Sequence, residues 1–134
     1  MTLSLSLRRR AGIALAIVTA GFLGLGCPAP TNPSEGTGTF EGLYLQGFEV
    51  SVFTPCGGGS PSSSTGYWLT GNAAFHERYN ALATTRGANG FGPVVYTRFT
   101  GALSAEGRYG HLGVYRREIT VTDVREMSIR TTCP

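Results

Sequence analysis

The chain contains no lysine; all eleven of its Lys/Arg positions are arginine. That absence excludes a Walker-type phosphate loop, whose Gly-Lys-Ser/Thr must reach the phosphates. It also excludes lysine Schiff-base chemistry. Histidine is limited to His76 and His111, and tryptophan to Trp68. The three cysteines (Cys27, Cys56, Cys133) include no Cys-x-x-Cys pair, so no close-spaced thiolate or dithiol redox motif is present. No internal repeat occurs, and no motif of glycosidase, protease or phosphatase chemistry is visible. At 134 residues there is room for one domain with a modest core.

What is present begins with "MTLSLSLRRR", a cationic n-region, followed by the apolar, small-residue run "AGIALAIVTAGFLGLG". This is the layout of a secretory signal over 1–26. The apolar run is short for a bilayer span, and "CPAPTNPSEGTGT" brings no cationic stop-transfer flank. The residues after the three arginines lack the polar–aromatic pattern of a twin-arginine signal. The "LGLGC" that closes the run resembles the lipobox of bacterial lipoproteins, with Gly24 where that motif favours Leu. The resemblance implies diacylation of Cys27, which then becomes the mature N-terminus and holds the protein to a membrane. Pro28 in place of Asp after that cysteine implies the outer membrane, facing the periplasm. A plain secreted protein cleaved near the same point is the alternative. The Pro- and Thr-rich residues up to Thr39 read as a flexible tether, giving a lipidated tail over 27–39 and a domain over 40–134.

Removing the signal changes the charge. Of eleven arginines, three (Arg8, Arg9, Arg10) lie in the n-region, leaving eight against the eight acidic residues, all of which follow Cys27. The mature chain is therefore neutral, and its basic isoelectric point gives no reason to expect a nucleic-acid partner. With Cys27 lipidated, Cys56 and Cys133 remain as an even pair in an oxidising compartment, which suggests a disulfide. Such a bridge would contribute about 4 kcal/mol on chain-entropy arguments.

The mature chain is mostly short alternating runs separated by glycine. "TFEGLYLQGFEVSVFTP" alternates at Leu43 and Leu45, then at Phe48, Val50 and Val52, with Gly47 breaking the phase. It predicts two consecutive strands, or one strand bent at a bulge. "GYWLTG", "GPVVYTRFTGALS" and "GVYRREITVTDVREM" predict three more, with turns at 57–66 and 104–110. "NAAFHERYNALATTRG" differs: Asn72 is an N-cap, Phe75, Tyr79 and Leu82 form one stripe, and Gly87 is a C′ residue. It predicts one inserted helix over about 72–86. The expected fold is mainly β, a small five-stranded barrel of the oligomer-binding (OB) type, with a β-sandwich fragment as the alternative.

The order of "GFEVSVFTPCG", "YWL", a helix, "PVVYTRFTGAL" and "GHLGVYRREITVTDV" is similar to small OB-like domains of Gram-negative envelope lipoproteins. The C-terminal domain of NlpE-type lipoproteins is one such domain. The resemblance covers about Phe40 to Met127 and implies the fold and the envelope location. The Cys-x-x-Cys domain that carries metal sensing in that family has no counterpart here.

Candidate chemistry is sparse. Cys56 as a nucleophile needs His76 or His111 as its base, and a strand rather than a helix follows it, leaving no helix N-terminus to activate a thiolate. Cys56, Cys133, His76 and His111 lack ligand spacing, so neither a metal nor another cofactor is expected. His76 reads as a solvated helix residue and His111 as a turn residue. Glu49, Glu118 and Asp123 read as strand carboxylates on the polar face, solvated or paired with Arg98, Arg116 or Arg117. Of Tyr67, Trp68, Tyr96, Phe99, Tyr109 and Tyr115, most are expected in the barrel interior. Tyr67 and Trp68 are the candidates for stacking on a cell-wall glycan.

The sequence thus points to a non-catalytic, lipid-anchored binding or interaction module. Its partner would be an envelope protein or a cell-wall glycan. A redox, metal or hydrolytic protein using Cys56 is the alternative. Radiolabelled palmitate should be incorporated by the wild-type protein and lost in Cys27→Ser; label persisting in that variant would count against the anchor.

Overall fold

The computed structural model describes residues 35–84, 87 and 89–134. The expected signal segment, Cys27 and the expected tether up to residue 34 lie outside the described residues. Strands β1 (Gly36–Gly47), β2 (Val50–Pro55) and β3 (Tyr67–Thr70) come first. Helix α1 (Ala73–Leu82) follows, then β4 (Val95–Leu103) and β5 (Glu118–Ile129). β1 begins at Gly36, ahead of the domain start expected at residue 40. Gly36–Thr39 already pair with Leu103–Thr100 of β4, because Phe40 and the residues before it extend the alternation along that neighbour.

The strands hydrogen bond in the order β1-β2-β3-β5-β4, and β4 pairs back onto β1, so the five-stranded sheet closes on itself. All pairs are antiparallel except β3–β5, which is parallel. β1 has partners on both edges, β4 along Gly36–Tyr44 and β2 along Gly42–Gly47. Where the two pairings overlap, Gly42 lets β2 come close; a Cβ there would strike the Thr54 carbonyl and the Phe53 ring. Gly47 ends β1 and a two-residue turn, Phe48–Glu49, begins β2, so the run is two strands rather than one bent strand.

β5 keeps an apolar face inward through two irregularities. Its register against β4 shifts between Arg98 and Phe99 and again between Thr100 and Gly101. Thr122 and Arg125 are thereby skipped, and Ile119, Val121 and Val124 all reach the core. Such bulges bend a strand and raise its twist, as closure of so few strands requires.

α1 packs against one end of the closed sheet. Asn72 caps it, its Oδ1 accepting from the Phe75 N–H at 2.9 Å, while its Nδ2 donates to the Thr122 carbonyl of β5 at 2.9 Å. Phe75 and Tyr79 are fully buried and meet Tyr44 edge-on, at 5.0 and 5.1 Å between ring centroids. The helix ends at Leu82, short of the expected residue 86. Leu82 is the last apolar residue of the stripe, and Thr84 beyond it is exposed.

Cys56, just past β2, is bonded to Cys133 beyond β5, 77 positions further along the chain. The connection at 57–66, expected as a turn, folds back on β2. Gly66 lies against Val52 and Gly58 against Thr54. The native protein should resist alkylation until reduced, and Cys133→Ser should lose about 4 kcal/mol in chemical denaturation. An alkylatable Cys56 in the native protein would contradict the bridge.

Candidate functional site

The Phe48–Glu49 turn and the loop between β4 and β5 meet at one end of the sheet. Among the described residues, Glu49 (φ 55) and Leu112 (φ 57) are the non-glycine residues held at positive φ. One lies in each of these two segments. Such backbone costs of order 1–3 kcal/mol where the surroundings impose it, and it concentrates at functional sites. Glu49 Oε2 lies 3.2 Å from Nε2 of His111, the residue before Leu112. Both partners are exposed, so the pair contributes little stability. What it does is join two segments about sixty residues apart in sequence. The loop closes on itself through reciprocal backbone bonds between Tyr109 and Tyr115, at 2.9 and 3.3 Å. Around this junction Phe48 (83% exposed), Leu112 (76%) and Val114 (55%) present apolar side chains to solvent.

Beside it lies a cleft of about 300 Å³ walled by the β1–β2 hairpin, β3 and the start of α1. Trp68 forms part of its lining and stands on the outer face of β3, while Leu69 enters the core. Its ring contacts Tyr115 at 5.4 Å, tilted by 59°. Gly110 (φ 69) lets the loop backbone rest on the indole, since any Cβ there would overlap the ring. Gln46, Glu49, Ser51, Thr70 and His76 supply the polar lining. Ser51 Oγ donates to the Leu69 carbonyl and Thr70 Oγ1 to Glu118. Burial pushes the Tyr115 phenol above its usual range.

Tyr67 and Trp68, paired in the sequence reading, face apart. Tyr67 packs against the core and lines a second cleft with Ser63, Ser64, Thr65, Glu106, Arg116 and Arg117. Consecutive strand residues point to opposite faces, so the two rings cannot serve one stacking platform. Burial raises the Tyr67 phenol, and the Arg117 charge partly offsets it. Tyr96, Phe99 and Tyr115 are buried, whereas Tyr109 is half-buried.

His76 is not the solvated residue expected. It is half-buried, lines the Trp68 cleft and meets the Phe75 ring edge-on at 6.0 Å. Glu49 sits on a turn, not a strand. Asp123 pairs with Arg125 at 2.9 Å, Arg98 with Glu126, and Arg116 and Arg117 with Glu106, so the ion pairs differ from those expected. Cys56 follows the far end of β2 from Glu49, roughly 20 Å along six strand residues. The histidines therefore stand at the opposite end from a sulfur that is already bonded.

Among the described residues no group of three His, Cys, Asp or Glu is arranged to hold a metal ion. No helix among them is long and apolar enough to cross a membrane. No family model, curated protein or solved structure matches the chain.

The sequence reading missed Phe48, Leu112, Val114 and Gln46. A signal existed for Phe48 and Leu112, since a large apolar residue directly after a turn glycine, or inside "YGHLG", has nowhere to bury. Gly110→Ala should displace the loop, costing at least about 1 kcal/mol. Because Trp68 is the chain's only tryptophan, its emission should shift to the red; unchanged emission would show that the loop does not rest on the indole.

Proposed function

We propose that this protein is a non-catalytic binding module of the bacterial envelope, held to the outer membrane by lipid on Cys27. Its contacts are made at the end of the sheet bearing the Phe48–Glu49 turn and the β4–β5 loop. The fold proposed is an OB-like barrel akin to those of NlpE-type lipoproteins. The closed strand order, the parallel β3–β5 pair and the helix between β3 and β4 support it. The ligands of that barrel class sit on the β2–β3 face between the β1–β2 and β4–β5 loops. Trp68 on β3 and its cleft beside the β1–β2 turn support such a placement.

The observation that carries the reading is the joining of two distant, apolar-tipped segments by Glu49 and His111. Exposed apolar clusters of this kind mark interaction sites. They also lie at the other end of β1 from Gly36, where that strand begins. The chain reaches the domain at Gly36, and β1 then runs twelve residues, about 40 Å when straight, before the Phe48 turn. A domain anchored through Cys27 would present this end away from its membrane. A non-catalytic role is supported by the Cys56–Cys133 bond and its distance from both histidines.

A photo-crosslinking residue placed at Phe48 should form adducts with envelope components in cells. The same residue at Thr37, exposed at the tether end of β1, should form few. Equal yields at both positions, or none at Phe48, would reject this end as the binding end.

A further inference from the structure

We infer that the Trp68 cleft is a saccharide site, taking one or two uncharged pyranose rings of a polysaccharide. The inference rests on the reading of this end of the sheet as the binding end, and it names the ligand class. It starts from unmet hydrogen-bonding capacity. Gln46 Oε1 is buried with no partner, which is uncommon for a side-chain oxygen. The half-buried His76 ring and Trp68 indole add ring nitrogens able to donate or accept. All three residues line the same cleft. Together with the Glu49 carboxylate and the Thr70 hydroxyl they offer both donors and acceptors around one aromatic ring.

That combination selects a ligand. A pyranose has an apolar C–H face, which an indole accepts, and a rim of hydroxyls that both donate and accept. A volume of about 300 Å³ lies at the low end for small-ligand sites, so the cleft suits a short piece of chain. A nucleic acid fits poorly. No arginine lines the cleft, and Glu49 would repel a phosphate for which no cation waits. The indole is also held in advance. Gly110 and Tyr115 pack on it and the Glu49–His111 pair fixes the neighbouring loop, which lowers the ordering cost of binding. Tyr67 has no part, since it lines the other cleft.

The test uses the full chain in detergent. Trp68 is the only tryptophan, so chitotetraose titrated against intrinsic emission reads the cleft directly. Cosedimentation with purified peptidoglycan sacculi, and capture on immobilised lipopolysaccharide, separate the two sources of such rings. Saturable binding to at least one probe is expected. Trp68→Ala should weaken it about tenfold or more, equivalent to about 1.4 kcal/mol, and Gln46→Ala and His76→Ala several-fold, with Tyr67→Ala binding like the wild type. If Trp68→Ala fails to fold, the Gln46 and His76 variants still decide. Binding to none of the three probes, or binding that all the cleft variants retain, overturns the inference. Adducts at Phe48 without saccharide binding would overturn the ligand class alone; saccharide binding without adducts would sink the crosslinking result and spare the cleft.

Discussion

β1 is hydrogen-bonded along both edges, and the closure of the sheet depends on that double pairing. Nine of its residues pair with β4 and six with β2, with the two sets overlapping at Gly42, Leu43 and Tyr44. The overlap requires β2 to approach more closely than a side chain at Gly42 would permit. From this one strand the rest follows. The Phe48 turn emerges at its far end, the chain arrives at its near end, and Tyr44 points inward to meet Phe75 and Tyr79 of the capping helix. The interior is then an aromatic assembly in which Phe99 also meets Phe40, Phe53 and Phe75.

Closure also explains why the two ends of the sheet differ. At the end where Cys56 and the tail around Cys133 lie, a covalent bond ties β2 to the C-terminal residues. At the other, Glu49–His111 is the ion pair that joins the turn to the loop, made by two exposed side chains. The cross-link's constraint falls mainly on the unfolded chain and fixes topology. The ion pair contributes little to stability. It coexists with strained backbone at Glu49 and Leu112 and with side chains that found no place in the core. An end that tolerates strain and exposes Phe48 and Leu112 is under demands other than stability.

Much of the architecture was legible in the sequence because each strand is half-buried and shows it by alternation. Phe99 and Leu103 of β4, and Ile119, Val121 and Val124 of β5, fall inward where the period places them. The alternation of Ile119 and Val121 slips to Val124, and the strand carries a bulge at that point. Asn72 and the Phe75/Tyr79 pair announced the helix, though its end was misplaced because a C′ glycine at 87 outweighed the end of the apolar stripe at Leu82. The ion pairs were not legible. Arg116 and Arg117 reach Glu106 only because the β4–β5 loop folds back on its own base.

The sequence by itself determined the signal-like leader, the balance of arginines and acidic residues from Cys27 onward, the odd and even cysteines, and the five strands with their helix. These are local properties, written in composition and period. Tertiary structure alone decided that Tyr67 and Trp68 part company, that His76 is drawn into a cleft, and that Glu49 meets His111. Those outcomes depend on sheet closure, which sends neighbouring side chains to opposite faces and brings together residues sixty positions apart. No periodicity records such distances.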